Sequence, residues 1–280
     1  MTLTLLPDKS CAIDHSMYIL NNKIPNFVAC IRIICSMDFQ IHYYRELTST
    51  NEKLNELIHS EDVPEGTVIQ AGYQTHGKGH AGAIWQSEPG KNLLFSILLK
   101  PFFLPPGLQF DLSRIISLAI RDLISDHLQG ATIKWPNDLY AGDRKIGGIL
   151  IENTLQGNDI LNSVAGAGLN VNQEDFDLEI PLPTSLYLEK QCHFDIQVLL
   201  GDLLVFLGKW YGILKSGRRE LICQSYLENL YRYGTWTDFR VGGQIFPGKI
   251  LDVLPDGELF LERKNGKKEN FGFKGIEFVL

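Results

Sequence analysis

The sequence lacks the features that define several protein classes. Its five cysteines form no CxxC pair and no Cys/His ligand spacing, and scattered cysteines in odd number are typical of a reducing compartment. The formal net charge of −7 provides no basic surplus for general nucleic-acid binding. We also expect no segment long and apolar enough to span a bilayer. These absences predict a soluble cytoplasmic protein whose partners include neither DNA nor a membrane.

The first 36 residues differ in character from the rest of the 280-residue chain. They contain Cys11, Cys30 and Cys35 but neither a basic leader with a cleavage site nor a helix-turn-helix pattern. Met37 stands directly before a strand-like run at residues 39–44. We hypothesise that the working protein starts near Met37 and that residues 1–36 are a non-native or disordered extension.

Residues 132–152 are the most informative stretch. A first short strand should stop at Trp135, because Pro136 cannot donate to a sheet ladder. A polar turn with Asn137 and Asp138 follows, and then a strand whose apolar run is interrupted by two glycines, as happens where a ligand or another backbone approaches closely. Three cations surround this turn: Lys134, Arg144 and Lys145. Two interpretations stay open, a hairpin with a polar loop or an anion site with a carboxylate for a metal or a proton.

A second polar group precedes a predicted helix. Ser49 and Glu52 have the spacing of a capping box. A plain helix cap would explain Ser49 alone, whereas Ser49, Thr50 and Asn51 together suit an anionic or polar ligand at a helix N-terminus.

Residues 74–85 form a glycine-rich loop. Its glycines have GxGxxG spacing: Gly77, Gly79 and Gly82. A dinucleotide-binding turn is excluded because no helix-forming run follows. We therefore predict a mobile loop that orders over a ligand, with a cation at Lys78 and a second possible one at His80.

The remaining segments indicate the architecture. The apolar spacing predicts helices over residues 111–127, 195–211 and 218–229. Alternating small residues at 164–172 leave room beside the sheet, where Asn170 can either hydrogen-bond a planar base or simply end a strand. From about residue 233, closely spaced turn signals predict a small all-β barrel.

These motifs together resemble those of the biotin protein ligases, in order and in spacing. The matching segments are Thr48-Ser49-Thr50-Asn51, the loop 74–85, Lys134-Trp135-Pro136-Asn137-Asp138, Asp143-Arg144-Lys145-Ile146-Gly147-Gly148 and Gly166-Ala167-Gly168-Leu169-Asn170. The resemblance covers residue 39 to the end. The Lys-Trp-Pro-Asn-Asp and Asp-Arg-Lys blocks are highly specific together, whereas the glycine loop alone is a weak signal. Without a helix-turn-helix before residue 39, the chain resembles the short form that lacks a DNA-binding domain.

The resemblance implies a two-step reaction. The carboxylate of biotin attacks the α-phosphorus of ATP, giving biotinyl-5′-AMP and pyrophosphate, and a specific lysine of a biotin carboxyl carrier protein domain then takes the biotinyl group. That domain would belong to a biotin-dependent carboxylase. Magnesium is expected with ATP, although no residue is directly assigned to it, and a homodimeric assembly is left open.

The resemblance also implies the roles of individual residues. The expected biotin-binding residues are Ser49, Thr50, Asn51, Gln74, Gly77, Lys78, Gly79, His80, Lys145 and Gly148. The expected nucleotide-binding residues are Trp85, Lys134, Asn137, Asp138, Arg144 and Asn170, with Trp85 stacking over the adenylate when the loop closes. The expected catalytic residues are Lys78, Asp138 and Lys145, with Asp138 orienting or deprotonating the acceptor lysine.

The glycine loop departs from the family pattern. Where the family usually has Gly-Arg-Gly and further basic residues, this chain has Lys78, and His80, Ala81 and Ala83 reduce the charge of the loop. Lysine lacks the planar two-pronged donor geometry of arginine. We therefore expect weaker retention of the adenylate.

The fold that these signals predict is α+β. A mixed β-sheet with helices mainly on one face, as in a class II synthetase-like catalytic domain, should occupy residues 37–231, and an SH3-like β-barrel residues 232–280. Two alternatives differ in function. A lipoate ligase or lipoyl/octanoyl transferase shares the general fold but lacks the combined lysine-containing motifs. A catalytically silent biotin-binding module is disfavoured by Lys134, Asp138 and Lys145.

Overall fold

The structure is a computed structural model that describes residues 37–177 and 182–279. The hypothesis about residues 1–36 therefore lies outside the described residues. The larger part of the molecule is built on a seven-stranded sheet with the order β1-β2-β3-β7-β6-β5-β4. Its strands are β1 Gln40–Tyr44, β2 Thr67–Ala71, β3 Asn92–Leu99, β4 Ala131–Lys134, β5 Asp138–Ala141, β6 Arg144–Gln156 and β7 Asp159–Asn170. The β1–β2 pair is parallel and the other pairs are antiparallel, so the prediction of a mixed sheet is confirmed.

Helices cover this sheet on both faces, but unequally. The α-helices are α1 Thr50–Ser60, α2 Phe110–His127, α3 Leu186–Lys190, α4 Ile196–Lys215 and α5 Arg219–Glu228. Helices α2, α4 and α5 pack on one another, and α2 and α4 also contact sheet strands, forming the main core. Helix α1 packs on β2, β3 and β7 over a smaller separate cluster. The prediction of helices mainly on one face is confirmed.

The side-chain alternation of the strands explains the two cores. Successive residues of a strand point to opposite faces of the sheet. Accordingly, Ile97 and Leu99 of β3 belong to the main core, whereas Leu98 between them belongs to the cluster under α1. Strand β3 is buried along its whole length, which accounts for its nearly continuous apolar sequence.

Helix α4 corrects one expectation from the sequence. Ile196–Lys215 has the length and composition of a membrane-spanning segment, so the expectation that no segment has them is wrong. In the structure, α4 lies against α2 and buries Leu199, Leu203 and Trp210 in the main core. This is the packing of a core helix.

The stretch 132–152 contains one more strand than predicted. The chain forms β4, a turn at the cis Trp135–Pro136 peptide, β5, and then β6. The sequence interpretation had a single polar turn between two strands and missed β5. This strand pairs Asp138 with Gly148 of β6, and the β5–β6 register shifts between Leu139 and Tyr140.

A second sheet follows helix α5. Its strands are β8 Trp236–Val241, β9 Gln244–Val253, β10 Leu259–Arg263, β11 Lys268–Phe271 and β12 Glu277–Phe278. They are antiparallel in the order β11-β10-β9-β8-β12. The all-β prediction is therefore confirmed, but within the described residues the sheet is open rather than a closed barrel. The domain boundary at 231/232 stays a prediction.

Arg114 links helix α2, which packs on the first sheet, to the second sheet. Its side chain is only 2% exposed and lies 2.5 Å from the fully buried carboxylate of Asp111. One guanidinium nitrogen donates to the carbonyl oxygens of Val253 and Leu254, at 2.6 and 2.9 Å, where β9 ends. Arg219 of α5 pairs with the other oxygen of Asp111. Because a buried charge must be paired, this group couples α2, α5 and the second sheet.

We predict that Arg114→Met lowers the free energy of unfolding by about 3 kcal/mol, because it removes one partner of a buried ion pair. The measurement is urea denaturation. The control is Arg240→Met, which removes an exposed pair with Glu277 at 3.3 Å and should cost less than about 1 kcal/mol. Equal losses in the two variants would contradict the coupling role of Arg114.

Candidate functional site

One cavity of about 260 Å³ collects most of the residues singled out in the sequence. It is lined by the N-terminus of α1, the glycine loop, the β5–β6 region and the small residues of β7. The lining residues are Ser49, Thr50, Asn51, Gln74, Lys78, Gly79, His80, Ala83, Ile84, Trp85, Asn137, Asp138, Lys145, Gly148, Ile149, Leu150, Gly166, Ala167 and Gly168.

The first part of the cavity is neutral and polar. The Thr50 amide and hydroxyl both donate to Gln74 Oε1, at 2.7 and 3.0 Å. The Ser96 hydroxyl lies within hydrogen-bond distance of Thr50 Oγ1 (2.7 Å) and Asn51 Oδ1 (2.6 Å), and Asn51 Nδ2 donates to Glu152 at 2.9 Å. This network holds the first turn of α1 against Gln74 and against strands β3 and β6.

Ser49 is the N-cap residue of α1, as the sequence predicted, but its side chain makes no capping hydrogen bond. The predicted position of Ser49 at the start of the helix is therefore confirmed, but the side-chain hydrogen bond of a capping box is not formed by Ser49. The structure directs Glu52 elsewhere: its carboxylate lies 2.7 Å from Lys78 Nζ. The hydrogen bond with Lys78 lowers the pKa of Glu52 and raises the pKa of Lys78.

The second part of the cavity is charged. Lys145 Nζ lies 2.6 Å from Asp138 Oδ1, and both side chains are partly buried. Asn137 is held beside this pair, because its Nδ2 donates to the Ile149 carbonyl (2.8 Å) and its own carbonyl accepts from the Ile149 amide (2.9 Å). The pair thus sits on two hydrogen-bonded strands, which preorganises its charges.

Two glycines of β7 make room for the cavity. A Cβ atom at Gly166 would stand 2.1 Å from Asn51 Oδ1, and one at Gly168 would stand 2.4 Å from Trp85 Cε2. These two glycines point to one face of the strand, about 7 Å apart along it. The small residues of β7 predicted free space beside the sheet. That space is present, and Asn51 and Trp85 occupy part of it.

Trp85 lies over the sheet between Gly168 and Gly148, with its ring 3.2 Å from the position of a Gly148 Cβ. Its ring centroid is 5.9 Å from Lys145 Nζ. The glycine pair at 147–148 predicted that a ligand or another part of the chain comes close to this strand. The indole of Trp85 makes this close approach at Gly148. Within the described residues, Trp85 Nε1 is buried without a hydrogen-bond partner.

The glycine loop is an ordered hairpin in the structure. The Trp85 amide donates to the Gly77 carbonyl at 2.8 Å and the Gly79 amide to the Ala83 carbonyl at 2.7 Å. A short 3-10 helix, His80–Gly82, forms its tip. The hairpin places Lys78 and Trp85 at the cavity.

Four residues predicted for the site do not line the cavity: Gly77, Lys134, Arg144 and Asn170. Lys134 Nζ donates to the Tyr140 hydroxyl at 2.9 Å and lies over the Phe278 ring at 5.4 Å, and burial lowers its pKa. Arg144 pairs with Glu189 at 2.7 Å, because neighbouring residues of β6 alternate in direction. Of the three cations around the central turn, only Lys145 lines the cavity.

Asn170 ends β7 as the sequence allowed. Its Nδ2 donates to the Thr184 carbonyl at 2.9 Å. Its Oδ1 is buried and has no partner in the part of the chain that the structure describes. The expected contact of Asn170 with a nucleotide base stays a prediction.

Sequence reasoning missed three contributors to the site. Ser96 joins the polar network from inside strand β3, and a serine within an apolar strand was an available signal. Glu52 and Glu152 hold Lys78 and Asn51, but long-range pairs of this kind leave no mark in local spacing. Among the described residues, no three His, Cys, Asp or Glu side chains form a metal-binding group, and Asp138 is the acidic residue of the cavity lining.

Comparison with known proteins reveals relatives of this chain. Residues 43–170 match the Biotin/lipoate A/B protein ligase family. The bifunctional ligase/repressor BirA of Bacillus subtilis is 30% identical over 234 residues, covering 81% of this chain and 70% of that protein. BirA of Escherichia coli is 35% identical over 128 residues, covering 45% of this chain and 38% of that protein.

Solved structures share the fold. The biotin protein ligase from Aquifex aeolicus, determined in complex with biotin and ATP, aligns with a TM-score of 0.72 at 24% identity, over 86% of this chain and 99% of that chain. At this identity the likeness establishes the fold, and the B. subtilis relative establishes the family. The chain belongs to the biotin protein ligases, within the Biotin/lipoate A/B protein ligase family.

Proposed function

We propose that this enzyme activates biotin with ATP and transfers it, through biotinyl-5′-AMP, to a lysine of a biotin carboxyl carrier protein domain. The observation that carries the proposal is the composition of one cavity. A neutral hydrogen-bonding part at Thr50, Asn51 and Gln74 lies beside Gly166. The part with Lys145 and Asp138 lies beside Gly148, which pairs with Gly168 further along β7. This combination suits an elongated ligand with a neutral polar head and a carboxylate tail.

In the first step, a carboxylate oxygen of biotin bonds to the α-phosphorus of ATP, and the bond from that phosphorus to the bridging oxygen breaks to release pyrophosphate. Both reactants are anions, so preorganised positive charge lowers the barrier. Lys145 supplies it from within the sheet, and Lys78 supplies it from the loop. Ser49, Thr50, Asn51 and Gln74 would orient the head of biotin, with Gly79, His80 and Gly148 beside it.

In the second step, the acceptor amine bonds to the carbonyl carbon of the mixed anhydride, and AMP leaves. The amine must be neutral to attack, and its proton must be removed during the reaction. Asp138 is the acidic side chain of the cavity and is proposed to orient the amine or accept this proton. Lys145 forms an ion pair with Asp138 at 2.6 Å, so the two residues would act side by side in both steps.

The nucleotide would lie along the charged part of the cavity. Trp85 and Asn137 border it, and Lys134, Arg144 and Asn170 lie outside its lining. Asn170 Oδ1, a buried acceptor without a partner in the described residues, suits an exocyclic amine of a base. Magnesium would enter with ATP, because Mg²⁺ in such sites is bound by one or two carboxylates plus substrate phosphates, and Asp138 fits that role. Bound magnesium would neutralise phosphate charge.

We further propose a cytoplasmic location, where biotin-dependent carboxylases would supply the carrier domain. The proposed partners include neither DNA nor a membrane, and a homodimeric assembly is compatible with the proposal.

We predict that the protein exchanges labelled pyrophosphate into ATP when biotin is present, because adenylate formation is reversible. Lipoate and octanoate serve as parallel substrates. Lys145→Ala should reduce the biotin-dependent rate by about 100-fold, since it removes a preorganised charge at the reacting centre. Exchange with lipoate instead of biotin would indicate a lipoate ligase. The absence of pyrophosphate exchange with all three acids would refute the proposed activity.

We predict that Lys78→Ala releases biotinyl-5′-AMP roughly 5-fold faster than the unmutated enzyme, the size of effect expected for a partly exposed charge. The measurement is the dissociation rate of the labelled adenylate after a chase with unlabelled biotin. Lys53→Ala is the matched control, because Lys53 pairs with Glu56 at 3.1 Å on the neighbouring helix surface. Unchanged retention in Lys78→Ala would contradict the role of this lysine.

We predict that Gly166→Ala weakens biotin binding by roughly 10- to 100-fold, because the new methyl group would displace Asn51 and overpacking typically costs about 1–3 kcal/mol. Isothermal titration calorimetry measures the affinity, and thermal unfolding reports stability. Gly201→Ala in helix α4 is the control, since a Cβ atom there meets nothing within 4 Å. Normal affinity in Gly166→Ala would show that biotin does not bind beside Asn51.

A further inference from the structure

The ring of Phe273, between β11 and β12, lies where the two sheets and the glycine loop meet. Its inner contacts are aromatic: the centroid is 5.6 Å from that of Trp135 and 6.0 Å from that of Phe110. Both partners are buried, at 3% and 4% exposure. Trp135 also donates from Nε1 to the carbonyl oxygen of Gly257 at 2.8 Å. Phe273 is thus seated on a rigid base.

The outer side of Phe273 faces the tip of the glycine loop. The His80 ring meets it in a T-shaped arrangement, with centroids 5.8 Å apart and planes at 80°, a favoured geometry for aromatic pairs. Phe273 is 41% exposed, so its ring is only partly enclosed by these contacts. Its position connects the loop to the second sheet.

The loop transmits this contact to the cavity. Its two legs are joined by backbone hydrogen bonds from Gly79 to Ala83 and from Trp85 to Gly77, and Lys78 pairs with Ile84 as an isolated bridge. These contacts couple the two legs, so we expect a constraint on the tip to be transmitted to both legs. Where the tip is held, Lys78 and Trp85 on the legs are held over the cavity as well.

We propose that Phe273 is a positioning residue for the ligation reaction, which holds the glycine loop over the cavity through its contact with His80. The proposal rests on the proposed function. It also gives a role to His80, which stands where the family pattern has a basic residue. A loop rich in basic residues would be held closed in part by the negative charge of the ligand. Here an aromatic contact with the second sheet supplies part of that closure. The step affected is retention of the activated intermediate, because a mixed anhydride that leaves the site is lost to hydrolysis.

The test uses the full chain with biotin and ATP but no carrier. Under these conditions, the adenylate leaves the site intact or is hydrolysed to biotin and AMP, so the combined rate at which free biotinyl-5′-AMP and AMP appear reports the leak. We expect Phe273→Ala to raise this rate roughly 2- to 10-fold, the range expected for loss of one aromatic pair. The KM for ATP in pyrophosphate exchange should rise as well, because Lys78 and Trp85 line the cavity and would be held less firmly over it. Phe273→Tyr, which keeps the ring, should restore retention.

A double-mutant cycle decides whether the effect passes through the loop. If it does, Phe273→Ala raises the leak when His80 is present but adds nothing in the His80→Ala background, whatever His80→Ala costs by itself through its position beside the proposed biotin site. Additive effects would overturn the proposal, as would normal retention in Phe273→Ala. Phe102→Ala is the control for an exposed phenylalanine, since this ring is 54% exposed and lies outside the cavity lining.

Two further measurements separate this inference from its alternatives. Thermal unfolding of each variant is recorded, and Phe273→Leu replaces Phe273→Ala if the alanine variant does not fold, because leucine fills the base but lacks the ring. Absence of biotin-dependent exchange in the unmutated enzyme would refute the proposed function itself. If the unmutated enzyme shows biotin-dependent exchange and Phe273→Leu loses the adenylate no faster than the unmutated enzyme does, only the role of Phe273 is refuted.

Discussion

A steric constraint on strand β7 underlies the whole site. At Gly166 and Gly168 the strand carries no side chains on the face where Asn51 and Trp85 approach, and Cβ atoms there would stand 2.1 and 2.4 Å from their nearest neighbours. Strand β7 lies in the middle of the sheet, hydrogen-bonded to β3 and β6 along its length, so it cannot shift to accommodate a larger residue. The room in which Asn51 and Trp85 approach the sheet at the cavity is therefore built into a strand that is hydrogen-bonded on both sides.

The charges of the site are held in place by partners before any ligand binds. Lys145 is paired with Asp138 and Lys78 with Glu52, at 2.6 and 2.7 Å. A cation held by a carboxylate needs little reorganisation when an anionic substrate arrives, which is the requirement for electrostatic catalysis. The two pairs differ in support, because Lys145 and Asp138 lie on paired strands, whereas Lys78 lies on a loop.

The second sheet is an integral part of this arrangement. The buried Arg114 donates to carbonyl oxygens at the end of β9, and Trp135, next to the polar turn of the site, donates to Gly257. Phe273 extends the same junction to the glycine loop. These contacts link the surroundings of the cavity to residues more than 100 positions away in sequence.

The sequence by itself determined the main elements and the family. Apolar periodicity places α2 and α4 correctly, turn residues indicate the second sheet, and the motifs that hold Ser49, Lys78, Asp138 and Lys145 identify the family, because these signals depend on near neighbours in the chain. Only the tertiary structure decided which side chains contact one another. Strand β5 was hidden because its four residues are too few to show a period, and the direction of Arg144 depended on the register of β6. The contacts of Glu52 with Lys78, Ser96 with Asn51 and His80 with Phe273 join residues from different elements, whose proximity is set by how the sheets and helices pack.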